Sequence, residues 1–159
     1  MYNKPMAKDF LNNLFKHCEE GYLEMRPIND RGSRPKFFDI EENGVSKALE
    51  YAEDLVGEYH IFFGIQPRKI QSGRDDDVEQ LITFWSDIDA KDHGNSKKKA
   101  KKALENFELT PSLLIDSGNG YHAYWILKNP WVIDNESDRE EINGIIIIPI
   151  TIPGATALL

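Results

Sequence analysis

The order of helix-like and strand-like segments constrains the fold of this chain more than any other feature of its sequence. Apolar residues recur at helical spacing in three segments, 7–19, 44–56 and 95–107. Pairs of short segments rich in β-branched and aromatic residues follow each helix, at 22–28 with 36–40, 58–65 with 81–89, and 112–116 with 121–127. The order α-β-β-α-β-β-α-β-β predicts an α+β fold, with helices packed on one face of a mostly antiparallel sheet.

The composition bounds the class of protein. A chain of 159 residues is long enough to bury a core, and we expect residues 1–143 to form one domain. The single cysteine, Cys18, cannot form an internal disulfide, which favours a cytoplasmic location. No segment has the roughly 18–20 apolar residues of a membrane span, and the N-terminus has no signal pattern, so we expect no membrane partner.

Charge is distributed unevenly along the chain. The net charge of −8 argues against a protein that is uniformly basic for nucleic-acid binding. Residues 91–102 nevertheless hold six lysines and one aspartate. This segment is either a solvated helix face or a local contact for phosphates.

The segment 144–159 differs from the rest because it has no charged residue and contains four consecutive isoleucines. Its pattern is typical of an extended strand pair or of an apolar tail. An uncharged apolar segment needs a partner, so a homodimer through 144–159 is one expectation. The other expectation is an apolar tail whose natural continuation is missing.

Two carboxylates end the most apolar strand-like segment, LITFWSDID at 81–89. Residues i and i+2 of a strand share a face, so Asp87 and Asp89 are predicted to point into one space while Ile88 faces the core. Paired carboxylates suit Mg²⁺ or Mn²⁺ ions that retain waters and also bind phosphate. The alternative is two acids that end a strand and face water.

A small-residue turn precedes a histidine in the segment SGNGYH at 117–122. The glycines and the asparagine of Ser117, Gly118, Asn119 and Gly120 allow positive φ, so backbone N–H groups can converge on an anion. His122 can donate to a phosphate oxygen from the strand that follows. The alternative is a simple hairpin with a histidine satisfied by neighbouring groups.

Arg68 leaves the end of the segment 58–65, which is predicted to be a buried strand, and is a weaker candidate for binding a nucleotide's charged tail. An ordinary loop cation is the competing interpretation. Zinc-ligand spacing, phosphate-binding GxxxxGK[ST] loops, GxGxxG turns and GxSxG elbows do not occur in the sequence.

The combination of FWSDID with SGNGYHAYW about thirty residues later, and FFGIQPR before both, resembles the archaeo-eukaryotic primase superfamily. The resemblance is greatest to the primase-polymerase domains of replication proteins from plasmids, phages and integrated elements, and it covers roughly residues 5–130. It implies an RRM-like catalytic sheet with an N-terminal α/β unit. Asp87 and Asp89 would bind Mg²⁺ or Mn²⁺, and His122 with Ser117, Gly118 and Asn119 would contact the triphosphate.

The function implied by this resemblance is template-dependent nucleotidyl transfer. Its partners would be nucleoside triphosphates, a single-stranded DNA template and a fused or separate helicase. The family completes its metal site with a third acid on a later strand, whereas the acids that remain here, between 134 and 141, lie in a polar, helix-like stretch. A catalytically incomplete domain that only binds nucleotide or single-stranded DNA is therefore the alternative. A metal-dependent nuclease or strand-transfer replication initiator is a more distant one.

Overall fold

The computed structural model describes residues 3–147 and 155–157. The described residues form helices α1 (Lys4–Leu14), α2 (Gly44–Glu53), α3 (Lys97–Glu105) and α4 (Glu136–Ile147). The strands are β1 (Tyr22–Asn29), β2 (Gly32–Ser33), β3 (Lys36–Asp39), β4 (His60–Phe63), β5 (Gln80–Asp89), β6 (Leu113–Asp116), β7 (Gly120–Val132) and β8 (Ala155–Ala157). They build two antiparallel sheets, which confirms the predicted α+β class.

The chain divides into two compact units, which are described separately. The first contains Met1–Ile82 and Lys128–Ile133, and the second contains Thr83–Leu127 and Asp134–Leu159. None of the described helices combines the length and apolar character that crossing a membrane requires.

The sheet of the first unit has β1 at its centre. This strand pairs antiparallel with β2, β3 and β4, and the register places Leu23 opposite Phe38 and Arg26 opposite Phe62. Helix α1 starts where the Asn3 side chain accepts a 3.1 Å hydrogen bond from the Met6 amide. Helix α2 packs against α1, β1 and β3, and buries Ala48 and other apolar side chains there.

The second sheet has the strand order β6-β7-β5-β8. Strands β6 and β7 form the hairpin predicted from residues 112–127, with Leu113 opposite Tyr124 and Asp116 opposite Tyr121. Helix α3 begins at Ser96, whose hydroxyl accepts from the Lys99 amide, and it covers one face of this sheet. The core under α3 contains Ile88, Ala100, Leu104, Ala123 and Trp125.

The environment of strand β4 differs from the prediction. The segment 58–65 was expected to be a buried strand, but β4 alternates between exposed and half-buried residues, and Phe62 is 54 % exposed. That prediction is wrong because aromatic content indicates a strand without telling how many of its faces are covered.

The segment 144–159 contributes the end of α4 and the three residues of β8, while 148–154 and 158–159 lie outside the described residues.

Candidate functional site

Strand β5 carries the two predicted carboxylates in the second unit. Ile88 is fully buried in the core beneath α3, whereas Asp87 and Asp89 on either side of it are only partly buried. This alternation places both aspartates on the sheet face opposite α3, with their Cα atoms about 6–7 Å apart by strand geometry. The face that carries Asp87 and Asp89 is called the polar face below.

His122 reaches the same polar face from the neighbouring strand β7. Its Nε2 atom lies 3.6 Å from Oδ1 of Asp87, and the two side chains are 36 % and 45 % exposed. Both groups are therefore accessible to a ligand. The edge of the His122 ring meets the Trp85 ring at 74°, with ring centres 6.2 Å apart.

Aromatic side chains support the polar face beside these groups. Tyr124 is buried and stacks on Trp85, with ring centres 6.3 Å apart and an interplanar angle of 18°. Burial, and secondarily the negative charge of Asp87, raises the pKa of Tyr124 to about 12. The Tyr124 phenol is therefore neutral at physiological pH.

The turn 117–120 is seated on the end of β5. Asn119 accepts a 3.0 Å hydrogen bond from the Ala90 amide, directly after Asp89. A β-carbon on Gly120 would overlap the carbonyl oxygen of Ile88, so only glycine allows the two backbones to approach this closely. The hairpin is thereby fixed next to the two aspartates.

The backbone amides of this turn differ from the predicted anion cradle. The Ser117 amide donates to the Gly120 carbonyl at 3.2 Å, which closes the hairpin. The Gly118 amide donates to Oδ1 of Asp116 at 2.8 Å, and Gly118 adopts the expected positive φ of 90°. Two of the N–H groups expected to bind an anion are thus occupied by the turn itself, because a tight hairpin satisfies its own amides.

Lys97 links α3 to this turn. Its Nζ forms an ion pair with Asp116, donates to the Gly118 carbonyl at 3.2 Å and lies 5.2 Å from the centre of the Tyr121 ring. The hydrogen bonds from Lys97 and then from the Gly118 amide hold the pKa of the Asp116 carboxyl below its usual value. Lys97 thereby connects the first turn of α3 to the hairpin.

An open pocket of about 470 Å³ lies at this end of the second unit. Its lining includes Asp89, Lys91, Asn95, Lys97 and Asn119. Nζ of Lys91 lies 2.7 Å from Oδ2 of Asp89, and this hydrogen bond is the main cause of the lowered pKa of Asp89. Each of the two ammonium groups is already paired with a carboxylate, Lys91 with Asp89 and Lys97 with Asp116, so an anionic ligand would have to share or displace these ion pairs.

The side chains on the polar face supply only some of the ligands that a divalent cation needs. Asp87 and Asp89 supply oxygen ligands on one strand face, and Mg²⁺ commonly binds one or two carboxylates together with waters and phosphate oxygens. Within residues 3–147 and 155–157, no three His, Cys, Asp or Glu side chains gather into a group that could hold a metal ion. In β8, which pairs with β5, the residue opposite Asp87 is Thr156, which is not an acid.

Arg68 belongs to the first unit and has a structural environment there. Its Nη2 lies 3.2 Å from Oε2 of Glu24, whose side chain is 1 % exposed, and its Nη1 donates to the Arg74 carbonyl at 2.9 Å. The backbone of Arg68 also bridges to Tyr22 and Val78. Its nucleotide-binding role stays a prediction, and the observed contacts are those of a residue that neutralises a buried acid.

Sequence reasoning did not single out Lys91 and Lys97 as individual site residues. They lay within a run of six lysines, and composition alone does not tell which lysine faces a pocket. The Ser96 cap was the available signal, because it starts α3 and places Lys97 in its first turn. In comparisons with protein-family models, curated proteins and solved structures, no significant match to this chain was found.

Proposed function

We propose that this chain is a primase-polymerase-type domain that joins nucleotides on a single-stranded DNA template during replication of a plasmid, phage or integrated element. The observation that carries the proposal is the 3.6 Å approach of His122 to Asp87. These residues belong to the two sequence motifs that resemble the primase superfamily, about 35 positions apart in the chain, and they share one exposed sheet face.

In this proposal the polar face holds the triphosphate of the incoming nucleotide. Asp87 and Asp89 would ligate Mg²⁺ or Mn²⁺, which supplies charge neutralisation on the phosphates and acidifies the attacking hydroxyl. His122 would donate a hydrogen bond to a phosphate oxygen, next to the Asp87 carboxylate that lies 3.6 Å from its Nε2 atom. Lys91 and Lys97 line the pocket next to Asp89 and would contact a phosphate that reaches it from the polar face. Positioning and electrostatics carry the rate, as in other phosphoryl-transfer sites.

A second candidate is a domain that binds nucleotide or single-stranded DNA without catalysis. The observation that favours it is the lack of a third acid near Asp87 in the part of the chain that the structure describes. A two-carboxylate site holds a cation more weakly than a three-carboxylate site, so binding with little turnover is the expected behaviour.

A nuclease of the strand-transfer type is disfavoured by the state of Tyr124. Such enzymes use an accessible tyrosine as nucleophile, whereas Tyr124 is 3 % exposed and its pKa is raised to about 12. A cytoplasmic location, a helicase partner and a homodimer through residues 144–159 remain part of the proposal. In the structure, β8 from that segment pairs with β5 of the same chain.

The proposal is tested by metal-dependent incorporation of labelled nucleotides on a primed and an unprimed single-stranded template. The wild type is compared with Asp87→Asn and His122→Gln, and the matched controls are Asp9→Asn on α1 and His17→Gln in the turn after it, both at exposed positions. We expect loss of about 100-fold or more for Asp87→Asn and wild-type rates for both controls.

The two candidates are separated by adding a binding measurement. Binding of a nucleoside triphosphate that needs Asp87 and Mn²⁺, with no incorporation above background, supports the non-catalytic domain. Incorporation at equal rates in the wild type and Asp87→Asn contradicts nucleotidyl transfer at this site.

A further inference from the structure

The sheet of the first unit has one face that α1 and α2 leave uncovered. The Phe63 ring meets the Phe10 ring of α1, with ring centres 5.6 Å apart, so the preceding residue Phe62 points to the opposite face. Phe62 is 54 % exposed there. Arg26 lies directly opposite Phe62 in the β1–β4 pairing, and its side chain is 40 % exposed.

A pocket of about 210 Å³ opens beside these two side chains. Its lining also includes Glu24 and Arg68. Glu24 is 1 % exposed and contacts Arg26 at 2.5 Å and Arg68 at 3.2 Å. Two guanidinium groups around one carboxylate leave a net positive charge at the base of the pocket.

Two glycines allow this arrangement. A β-carbon on Gly64 would lie 3.2 Å from Cβ of Glu24, and one on Gly73 would lie 2.9 Å from Oε1 of the same residue. The Gly73 carbonyl also accepts a 3.2 Å hydrogen bond from Nη2 of Arg26. The guanidinium of Arg26 is thus held in place next to Phe62 by contacts on β1 and on the loop that contains Gly73.

We propose that this face of the first unit binds single-stranded DNA, with one base stacked on Phe62 and an adjacent phosphate held by Arg26. An exposed aromatic ring beside a fixed guanidinium is the combination that single-stranded nucleic acid requires, since every base has a stacking face and every phosphate a negative charge. An apolar protein partner would remove water from the exposed part of Arg26 without replacing the hydrogen bonds that the guanidinium makes to that water. The choice of DNA rests on the proposed function, whereas the site rests on residues of the first unit alone.

The test measures binding of a fluorescein-labelled oligothymidylate by anisotropy, in the absence of metal and nucleoside triphosphate. The variants are Phe62→Leu, which keeps apolar area but removes the aromatic ring, and Phe62→Trp, which keeps stacking. Leu114→Ala, at a 41 % exposed position of β6, is the control. We expect Phe62→Leu to bind at least about fivefold more weakly, and Phe62→Trp and the control to bind like the wild type.

The oligomeric state of each variant is measured by sedimentation in parallel. Equal affinity of Phe62→Leu and the wild type overturns the proposal. So does a Phe62→Leu variant that turns a dimer into a monomer without changing DNA affinity, since a second copy of the chain then occupies the face. The test contains no metal ion and no nucleoside triphosphate, so failure of nucleotidyl transfer leaves its outcome unaffected.

Discussion

The backbone of Gly120 in β7 lies against the carbonyl oxygen of Ile88 in β5, at a separation that leaves no room for a β-carbon. This contact brings the turn 117–120 to the end of the strand that carries Asp87 and Asp89. It explains why the second glycine of the SGNG turn is needed for packing, while Gly118 is needed for its positive φ.

Replacing Gly120 therefore tests the packing of the hairpin. We expect Gly120→Ala to lower the free energy of unfolding by about 1–3 kcal/mol, because the strands must separate to admit the methyl group. Gly118→Asn is the comparison, since asparagine tolerates positive φ and the space around Gly118 is open. Urea unfolding of the three proteins decides the point, and equal stability of Gly120→Ala and the wild type would contradict it.

The contacts of Lys97 predict that it rigidifies the turn. We expect Lys97→Met to speed amide hydrogen exchange at residues 117–120 by roughly threefold or more, because the Asp116 ion pair and the Gly118 hydrogen bond are lost. Lys101→Met serves as the control, since Lys101 contacts only Glu105 among its charged neighbours on α3, at 3.9 Å. Unchanged exchange in Lys97→Met would show that the turn holds its conformation without the lysine.

The ion pair between Lys91 and Asp89 predicts competition with a divalent cation. Because Nζ of Lys91 is paired with Oδ2 of Asp89, we expect the Lys91→Met variant to bind Mn²⁺ at least about twofold more tightly than the wild type does. Lys98→Met removes the same charge from an exposed position of α3 and is the control. Electron paramagnetic resonance of free Mn²⁺ gives the affinities. Equal affinity in both variants would contradict competition between Lys91 and the cation for Oδ2 of Asp89.

The environment of Arg68 predicts a structural effect. We expect Arg68→Met to lower the free energy of unfolding by about 3 kcal/mol, because Glu24 is buried and loses one of its cations. Arg31→Met removes a 77 % exposed side chain that is paired with the exposed Glu58, and it is expected to change the free energy of unfolding by less than about 0.5 kcal/mol. Thermal and urea unfolding test both. Full stability of Arg68→Met together with loss of nucleotide binding would instead establish the ligand role.

The burial of the Cys18 thiol leads us to expect that the folded protein loses stability at high pH. Burial raises the pKa of its thiol from 9.0 to about 12, so the folded protein keeps a proton that the unfolded chain releases. The stabilisation from this group is complete below pH 9 and is lost as the pH rises from 9 to about 12. We expect the stability difference between the wild type and Cys18→Ala to shrink over this range. A difference that is constant with pH would contradict the buried thiol.

Much of the secondary structure could be predicted from the sequence because its apolar periodicities are strong. The spacing of Ala100, Ala103 and Leu104 predicted α3, and the alternation around Ile88 predicted which residues of β5 face the core. The exposure of β4 was not predictable in the same way. The sequence shows which residues form a strand, but the covering of each face depends on packing between distant segments.

The candidate site was predictable to a similar extent. Strand alternation placed Asp87 on an open face, and the order of the two motifs led to the pairing with His122. The hydrogen bonds within the turn 117–120 could not be anticipated, because they depend on how tightly the hairpin closes. Lys97 was missed as an individual residue because its role arises from a contact between α3 and a turn 21 positions later in the chain.

The alternating environment of β5 has a consequence for the evolution of this unit. Residues that stabilise the fold and residues that meet the solvent are interleaved, with Ile88 under α3 and an aspartate on each side of it. Point substitutions can therefore retune ligand chemistry while the hydrophobic layer stays intact. An insertion of a single residue before Asp87 would exchange the two sets, forcing acids beneath the helix, so this strand tolerates replacement far better than any change in length.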